Sequence, residues 1–598
     1  MLECATTTAT LLVHDLVEAG PVPTCLDRDG VYPYSSFVET SLRPRLKDYP
    51  CNVLENDHIR AVVCPGLGGK LLSLMEKSSG RESLFREPVV RPVRYLPRQA
   101  FLSGGIETSF PISHTPSQVE SLHSQSRIMA GRAYCWCGER ELRFGMRYTI
   151  EFSLASDDRF LTQRMRIDNP TPSAHPWMSW SNAAAAALPD TEFHFPSGLV
   201  LAHGSSVEII DWDAAGPRRQ SDVARMRGYF WKNPDVHAFG VFTPSLGTGL
   251  YHVAHPSDMP GIKLWTYGEG DDRRWSHGST LSKQTYLEIQ AGPLADQSEK
   301  TYLKPDGSRC WTEYWIPAST PLDIRQISIP EVSLCLPREM PVFDWRTGQA
   351  IDPWLALLDA WRSSDKRAIP DIPAALDGIW APSGMDDLGP ALAWAIERNP
   401  ACADRYAFHC AAWHAGRDCV AEAHQMLQDR TSDACLMLSA VLLRRCGDSH
   451  AAARAFRRIS NTSLSLHPQV TVERDLALAA LGTVSLKERG EWLARSAALA
   501  DEWLAERRAD HALASGDPAQ AIAILRSTRF QQVHQRYART ELWNSAMALL
   551  GCGDPTPPSL GEDDLCVWGS YREYDSDSRP SSCKAELLLG NCLSGDGL

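Results

Sequence analysis

Two glutamates in this chain stand in settings that suit acid–base chemistry. Glu288 lies in a run from Tyr286 to Gln290 whose alternation predicts a β-strand with Glu288 and Gln290 on its polar face. Glu107 follows two adjacent glycines, which let the backbone approach a ligand closely, and it precedes His114 by seven residues. Cleavage of a glycosidic bond requires one group to protonate the leaving oxygen and a second to activate water or attack the anomeric carbon. Two glutamates facing one cleft could perform both steps.

The elements that must position these residues change type along the chain. Up to about residue 330 the chain consists of alternating runs with Gly, Pro, Asn or Asp near their ends, which is typical of a large β-sandwich. After Pro341 it consists of Ala-, Leu- and Arg-rich helical runs. Gly416, Gly447 and Gly516 each precede an alanine by five positions, and their spacings of 31 and 69 residues indicate a period of about 34. The sequence therefore predicts a multidomain protein, an all-β sandwich followed by an all-α array of repeats.

The predicted organisation has five parts. Residues 1–45 form strands or an arm that packs onto the sandwich, and residues 46–330 form the sandwich itself. Residues 331–385 contain a linker and the first helices, and residues 386–555 contain the helical repeats. Residues 556–598 are rich in Ser, Asp and Gly, and this polar composition predicts disorder.

Composition narrows the classes of function. The 598 residues carry a net charge of −13 and no block of Lys or Arg, which argues against nucleic acid and anionic membranes as partners. The 17 cysteines form no CxxC pair, and neither a secretion signal nor an apolar run of membrane-spanning length is present, so we expect a cytoplasmic protein. The 18 histidines show no metal-ligand spacing. We therefore expect neither a catalytic metal nor a cofactor.

Several short motifs resemble known families. The Leu-Glu-X-Gln strand around Glu288, an Asp six residues after Gln290, the Leu-Lys-Pro-Asp-Gly stretch that ends at Gly307 and an aromatic strand resemble the C-terminal signature of galactose mutarotase-like proteins. This resemblance implies a β-supersandwich fold and the role of catalytic base for Glu288. The stretches around Glu107 and Lys263 resemble a family that joins such a sandwich to tetratricopeptide repeats. Its members usually have Asn where this chain has Ser109, and often paired Thr in place of Ser117-Gln118.

One part of the mutarotase pattern is absent. Aldose mutarotases carry their general acid, a histidine, in the strand that corresponds to residues 169–184, where the two possible alignments place Met178 or Ala183 in this chain. A relocated acid would suit a bulkier leaving group. We therefore predict a glycoside hydrolase with Glu107 as acid and Glu288 as base. The predicted substrate contacts are His114, Asn182, Lys263, Trp265, Gln290 and Trp180.

Two alternatives remain open at this stage. The first is an aldose 1-epimerase or mutarotase, in which Glu288 is the base and His114 or His175 is the relocated acid. The second is a catalytically inert, carbohydrate-binding scaffold whose helical repeats bind a protein partner, since stacked repeats present extended concave surfaces. The three hypotheses differ in the reaction that they predict: hydrolysis of a glycoside, mutarotation of a free sugar, or no turnover.

Overall fold

The computed structural model describes residues 2–552, apart from 21–24, 26–31, 42, 95–99, 204–206, 268–279, 281–283, 298–300, 349, 498, 500 and 529–532. The predicted disordered tail, 556–598, lies outside the described residues. The strands are β1 (Glu3–Val13), β2 (Leu16–Gly20), β3 (Ser36–Thr40), β4 (Arg45–Glu55), β5 (Ile59–Cys64), β6 (Lys70–Glu76), β7 (Arg81–Glu82), β8 (Val89–Val90), β9 (Val93–Arg94), β10 (Ala100–Phe101), β11 (Ile106–Thr108), β12 (His123–Met129), β13 (Arg132–Arg140), β14 (Arg147–Ala155), β15 (Leu161–Asp168), β16 (His175–Trp177), β17 (Ser181–Ala186), β18 (Glu192–His194), β19 (Leu199–His203), β20 (Val207–Asp211), β21 (Arg227–Trp231), β22 (Ala238–Thr243), β23 (Thr248–Ala254), β24 (Gly261–Thr266), β25 (Tyr286–Gly292), β26 (Thr301–Leu303) and β27 (Ser308–Ala318).

Two large sheets form the first part of the chain, and they are antiparallel except where β8 pairs in parallel with β1. The larger sheet has the strand order β20-β19-β21-β24-β25-β17-β11-β6-β5-β4-β1-β8, with β7 paired to β6. The smaller sheet has the order β12-β13-β14-β15-β27-β23-β22-β18. Strand β1 pairs with β4 along its whole length, from Glu3 opposite Glu55 to Val13 opposite Arg45. The first predicted part therefore contributes a full strand to the large sheet.

The two sheets stack on one apolar core. Leu287 and Ile289 of β25 and Ile106 of β11 face Phe152 and Trp315 of the smaller sheet, and all five are buried. Successive side chains of a strand point to opposite faces. Because the odd-numbered residues of β25 fill this core, Glu288 and Gln290 must lie on the outer face of the large sheet, as the alternation predicted.

The second part of the chain is helical. Its helices follow a short helix α1 (Trp212–Ala215) in the sandwich, and they are α2 (Asp352–Arg362), α3 (Leu388–Arg398), α4 (Ala403–Ala415), α5 (Val420–Leu427), α6 (Asp433–Arg445), α7 (Ser449–Arg457), α8 (Thr462–Ser465), α9 (Pro468–Ala479), α10 (Leu486–Arg495), α11 (Glu502–Ala514), α12 (Pro518–Ser527) and α13 (Val533–Leu549). Consecutive helices pack as pairs, and small residues such as Ala411, Ala440 and Ala452 are fully buried between them. The predicted class, an all-β supersandwich followed by an all-α repeat region, is confirmed.

The predicted glycine turns are only partly alike. Gly447 and Gly516 follow helices α6 and α11 with φ of +89° and +80°, the left-handed conformation that ends many helices. Gly416 instead keeps a right-handed conformation, and Asp418 takes the positive φ of 62° two residues later. The shared Gly therefore marks the turn between paired helices, although the backbone follows two different paths through it.

The sandwich and the helical part touch through close backbone contacts. The Gly384 amide donates to the Leu142 carbonyl at 3.1 Å, and the Ser383 hydroxyl donates to the Arg143 carbonyl at 2.5 Å. A side chain built on Gly145 would come within 2.2 Å of the Gly384 carbonyl oxygen, so this contact requires glycine. Among the residues described, no helix has the length and hydrophobicity that crossing a bilayer requires.

Candidate active site

One row of polar side chains crosses the outer face of the large sheet. Glu107 of β11 lies opposite Asn182 of β17, Asn182 lies opposite Gln290 of β25, and Gln290 lies opposite Lys263 of β24. Residues directly opposite one another in neighbouring strands place their side chains on the same face. These four residues, here called the site row, are all buried. The structure thus brings together predicted residues that are up to 183 positions apart in the chain.

A second row runs beside the site row. Glu288 of β25 lies opposite Trp265 of β24, Trp265 lies opposite Gly228 of β21, and Gly228 lies opposite His203 of β19. A side chain on Gly228 would come within 2.1 Å of His203 Nε2 and 2.8 Å of the Trp265 ring. Because position 228 is glycine, these two rings meet above the strand, with their centroids 5.5 Å apart. Trp265 and Glu288 remain partly exposed, so a ligand can reach both.

Glu107 is held by two neighbouring side chains. The Gln118 amide donates to Glu107 Oε1 at 2.7 Å, and His114 Nδ1 lies 3.2 Å from the same oxygen. His114 has a left-handed backbone conformation with φ of 56° and packs its ring 5.7 Å from that of Phe101. Gln118 and His114 therefore fix the orientation of the Glu107 carboxyl group.

Glu288 has a different environment. Gln290 donates to Glu288 Oε2 at 2.7 Å, and Gln290 in turn accepts from Gln297 at 2.9 Å. Burial raises the pKa of Glu288, and the Glu107 carboxylate adds to this effect, whereas His114, Lys263 and Gln290 act against it. A carboxyl group with a raised pKa holds its proton longer, as a general acid must.

Two buried lysines lie on the same face. The Lys263 ammonium donates to Gln297 Oε1 at 2.6 Å and lies 4.6 Å from the centre of the Phe230 ring and 5.1 Å from that of Trp265. Burial lowers the pKa of Lys263 to about 7, although the nearby carboxylates act in the opposite direction. Burial also lowers the pKa of Lys70, whose ammonium donates to the Leu102 carbonyl at 3.1 Å. The site therefore contains cations as well as carboxylates.

Asn182 lies between the two glutamates and has unsatisfied hydrogen-bonding groups. It is 5% exposed, and neither its Oδ1 nor its Nδ2 has a hydrogen-bond partner among the described residues. Leaving a buried polar group unpaired costs about 1–3 kcal/mol. Such a group at the centre of a polar row is positioned to bind hydroxyl groups of a ligand.

The register fixes how far apart the glutamates are. Glu107 and Glu288 are separated by two strand spacings across the sheet and by two residues along it. With about 4.8 Å between strands and about 3.4 Å per residue, their Cα atoms are about 12 Å apart. Both side chains leave the sheet on the same face, because Glu107 belongs to the site row and Glu288 lies two residues from Gln290 of that row.

A polar network in the core supports the two strands that carry Glu107 and Asn182. Gln163 Nε2 donates to Thr108 Oγ1 and to Ser181 Oγ, both at 2.9 Å. Ser181 Oγ donates to Glu313 Oε1 at 2.6 Å, and His252 Nε2 lies 3.0 Å from Glu313 Oε2. Thr108 and Ser181 are the sequence neighbours of the first two residues of the site row. The network ties β11 and β17 to the smaller sheet and so fixes the position of that row.

Two predicted residues are placed differently from the rest. Trp180 is fully buried, because its indole packs flat over Gly261 and Gly292, and in this structure it offers no ring face to a ligand. His175, the alternative acid, lies in β16, where its ring stacks on Phe144 and its Nε2 is 2.8 Å from Thr171 Oγ1. Burial lowers the pKa of His175 to about 4, and Arg417 of the helical part adds to this effect. His175 thus faces the junction with the repeats.

Sequence reasoning missed three residues of the site. Gln118 contacts Glu107, Lys70 lies near both glutamates, and His203 closes the second row. The sequence indicates Gln118 only as a departure from a family pattern. No local pattern distinguishes Lys70 or His203, and burial lowers the pKa of His203 well below the usual value. Strand pairing over long sequence distances brings Lys70 and His203 to the site, whereas Gln118 reaches Glu107 from a turn 11 residues later.

The departures from the resembling family have structural roles. The Ser109 hydroxyl accepts from the Trp180 amide at 3.0 Å, which joins the end of β11 to β17. The Ser117 hydroxyl donates to Glu139 at 2.8 Å. In the part of the chain that the structure describes, no cluster of three or more His, Cys, Asp or Glu residues is arranged to hold a metal ion.

Family models match both parts of the chain. Residues 26–318 match a family described as a domain of unknown function (DUF5107), and residues 354–546 match a second family described as a C-terminal domain. These matches cover the sandwich and the helical repeats respectively. The junction between the two matches falls in the segment that connects β27 to α2.

Solved structures are similar to the whole chain or to part of it. A TPR-domain containing protein from Parabacteroides distasonis is 44% identical over 94% of this chain and 98% of its own, with a TM-score of 0.90. A galactose mutarotase-like protein from Clostridium acetobutylicum is 12% identical over 45% of this chain and 95% of its own, with a TM-score of 0.35. A galactose mutarotase-like protein from Lactobacillus casei is 12% identical over 45% of this chain and 99% of its own, with a TM-score of 0.33.

Proposed function

This chain belongs to the same family as the repeat protein of Parabacteroides distasonis, and we propose that it is a glycoside hydrolase that uses Glu288 and Glu107. One observation carries the proposal. The two glutamates share one face of the large sheet, with the unpartnered amide of Asn182 between their strands and the partly exposed ring of Trp265 beside Glu288. Aromatic rings pack well against the C–H faces of sugars, and buried amides bind hydroxyl groups. The pair of carboxyl groups supplies the acid and the base.

The environments of the two glutamates favour the reverse of the roles expected from the sequence. Glu288 has a raised pKa, which suits the group that protonates the leaving oxygen. Glu107 accepts from Gln118 and lies against His114, which suits a carboxylate that activates water. We therefore assign Glu288 as the general acid and Glu107 as the general base. This assignment differs from the mutarotase resemblance, which implies a base at position 288.

The separation of the two residues bears on the stereochemical outcome. Inverting hydrolases place their carboxyl groups about 6.5–9.5 Å apart to leave room for a water molecule, whereas retaining enzymes place them about 5–5.5 Å apart. The Cα atoms of Glu107 and Glu288 are about 12 Å apart, and side chains stand roughly perpendicular to a sheet. This Cα separation is closer to the wider class than to the narrower one. We therefore expect the hydrolysis to invert the anomeric configuration.

Proton NMR of the anomeric region is the first test. Purified protein is incubated with α- and β-linked disaccharides and aryl glycosides, and the anomer released first is identified. We expect the parent protein to hydrolyse at least one of these substrates. For substrates without an activated leaving group, such as the disaccharides, we expect Glu288→Gln and Glu107→Gln each to abolish this activity. Glu397→Gln is the matched control, because this glutamate lies on the surface of α3 with its side chain 69% exposed. Hydrolysis that persists in both site variants would contradict the proposal.

Leaving-group dependence separates the two roles. Loss of a general acid matters little when the leaving group is a dinitrophenolate, which departs without a proton, whereas loss of the base affects all substrates. We expect Glu288→Gln to retain activity on dinitrophenyl glycosides and Glu107→Gln to lose it, by about 10²- to 10⁴-fold. If Glu107→Gln instead retains activity on dinitrophenyl glycosides and Glu288→Gln loses it, Glu107 is the acid and Glu288 the base, as expected from the sequence.

A second candidate, an aldose 1-epimerase, is favoured by His114. Its Nδ1 lies 3.2 Å from Glu107, and its charge also affects Glu288, so it is available as a proton donor near both carboxyl groups. Faster mutarotation of freshly dissolved free sugars without hydrolysis would support this candidate. Shifts of sugar signals without either reaction would instead support a carbohydrate-binding scaffold, with the helical repeats available to a protein partner.

A further inference from the structure

The charge on Lys263 is incompletely balanced. Some buried arginines elsewhere in the fold face carboxylates directly, as in Arg164 with Glu151 at 2.8 Å and Arg489 with Asp475 at 2.8 Å. Lys263 is 5% exposed, yet no carboxylate oxygen of the described residues lies within 4.0 Å of its Nζ. Burying a charge is costly unless it is paired. Among the described residues, the position of Lys263 therefore suits an anion placed closer to its ammonium than Glu288 and Asp296 are.

The immediate partners of Lys263 are neutral. They are the Gln297 amide oxygen at 2.6 Å and the rings of Phe230 and Trp265. A cation near aromatic faces gains about 0.5–2 kcal/mol, which offsets only part of the cost of burial. The groups that orient the ammonium are thus neutral, and the carboxylates that act on it, Glu288 and Asp296, lie beyond direct contact.

Lys263 also lies close enough to Glu288 and Asn182 for one ligand to contact all three residues. Lys263 and Asn182 flank Gln290 in the site row, and Trp265 lies two residues from Lys263 on the same face. Their Cα atoms place Lys263 about 8 Å from Glu288, one strand across and two residues along. A sugar ring with its anomeric carbon at Glu288 and a substituent on the far side of the ring would reach the ammonium.

We propose that the sugar bound at this site carries a singly charged acidic substituent, a carboxylate or a sulfate ester, and that Lys263 binds it. This proposal rests on the proposed carbohydrate function. A single lysine flanked by neutral groups matches one negative charge, whereas a phosphate dianion needs more cationic donors. The acidic group pairs with the ammonium and receives its hydrogen bonds. Lys263 is thereby a specificity-determining residue rather than a catalytic one.

The pH dependence of binding follows from the groups around Lys263. The titratable groups that face it are Glu288, Asp296 with its partner Lys232 at 3.4 Å, and the buried His203. In the free protein burial lowers the pKa of Lys263 to about 7. A bound anion favours the charged ammonium, so binding near pH 7 and above takes up a proton. The affinity for an acidic sugar therefore falls as the pH rises above 7.

Isothermal titration calorimetry with matched ligands tests the proposal. Methyl glucuronides and methyl glucosides of both anomers, the corresponding galacto pairs and the 6-sulfates are titrated at pH 7.5. We expect at least one acidic ligand to bind about 10- to 100-fold more tightly than its neutral counterpart, as a charged hydrogen bond implies. The comparison of uronides with sulfates shows which acidic group the site accepts.

Three variants separate charge from structure. Lys263→Met keeps the length of the side chain and removes the charge, so the preference for the acidic ligand should disappear. Lys263→Arg should keep the preference but lose proton uptake, measured from titrations in buffers of different ionisation heat, because arginine stays protonated. Lys77→Met is the control, since Lys77 pairs with Glu55 at 2.6 Å at the edge of the sheet. Circular dichroism spectra and melting temperatures verify that each variant folds.

The outcomes distinguish this proposal from the proposed function. Equal or tighter binding of the neutral ligands, unchanged in Lys263→Met, overturns the acidic-substituent proposal and leaves a carbohydrate site in place. Absence of binding by every sugar, neutral and acidic, overturns both proposals. A preference for the acidic ligand that Lys263→Met retains means that another residue binds the anion, and this result also refutes the role of Lys263.

Discussion

The two site glutamates should respond in opposite directions to the same substitution. Burial raises the pKa of Glu288 in the folded state. The folded protein therefore holds the Glu288 proton more tightly than the unfolded chain does, and stability falls as the pH rises through this pKa. Glu288→Gln removes the charge and with it this loss. We expect the variant to be more stable than the parent protein at pH 8 and equally stable near pH 4, where the carboxyl group is protonated in both states.

The magnitudes follow from the contacts. Each tenfold increase in the proton affinity of Glu288 corresponds to about 1.4 kcal/mol at pH 8, and 1 kcal/mol shifts the melting temperature of a domain of 150–250 residues by about 2–4 °C. Glu107→Gln instead weakens a charged hydrogen bond to Gln118 and the contact with His114. Losing hydrogen bonds to a charged group costs about 1.5–3 kcal/mol. We expect Glu107→Gln to melt about 3–12 °C lower than the parent protein.

Differential scanning fluorimetry between pH 4 and pH 8 measures both effects without knowledge of the substrate. The parent protein, both site variants and the surface control Glu397→Gln are scanned in the same buffers. A curve for Glu288→Gln that lies above the parent at pH 8 and merges with it at low pH supports the reasoning. If Glu288→Gln lowers the melting temperature at pH 8 as much as Glu107→Gln does, burial does not govern Glu288, and its assignment as the acid fails.

Three further predictions concern single positions. Asn182→Leu should raise the free energy of unfolding in urea by about 1–3 kcal/mol, because the side-chain nitrogen and oxygen of Asn182 are both buried without a partner among the described residues. The same substitution should abolish sugar binding in calorimetry. Gly228→Ala should lower the free energy of unfolding by about 1–3 kcal/mol, since the new methyl group would lie 2.1 Å from His203 Nε2. The loss should be smaller when Gly228→Ala is combined with His203→Ala. We expect the parent protein to unfold in one urea transition and Gly145→Ala to unfold in two, because the substitution places a methyl group 2.2 Å from the Gly384 carbonyl oxygen at a backbone φ of +81°. The same transition in both proteins would contradict the role of this contact.

The faces of the site strands could be predicted from the sequence. In β25 the apolar residues Leu287 and Ile289 alternate with Glu288 and Gln290, and the period of two along a strand is a local property of the backbone. The same reasoning placed Lys263 and Trp265 on one face of β24, and the structure has them there. Alternation does not depend on which strands are neighbours, and for this reason it survives folding unchanged.

The order of the strands could not be predicted in this way. Glu107 lies on a strand of only three residues, too short for alternation to indicate its neighbours. Its position beside β17 depends on pairing between residues about 75 positions apart and on the buried Gln163 that bonds to both strands. Trp180 shows the same limit, because its burial depends on Gly261 and Gly292, which come from two other strands. The sequence indicated Trp180 near the site, but it did not indicate the glycines that Trp180 covers.

The same long-range pairing connects the site to the helical part. Gln118, which donates to Glu107, follows Ser117, and Ser117 donates to the buried Glu139. The Glu139 carboxylate pairs with Arg346, which belongs to the segment that leads into α2. Removing one partner of a buried ion pair costs about 3–5 kcal/mol, because the remaining charge stays uncompensated. A sandwich that ended before Arg346 would leave Glu139 in this state directly beneath the loop that holds Glu107. The segment that leads into the repeats is therefore linked to the loop that holds Glu107 through Arg346 and Glu139, and we expect that removing this segment disturbs the loop.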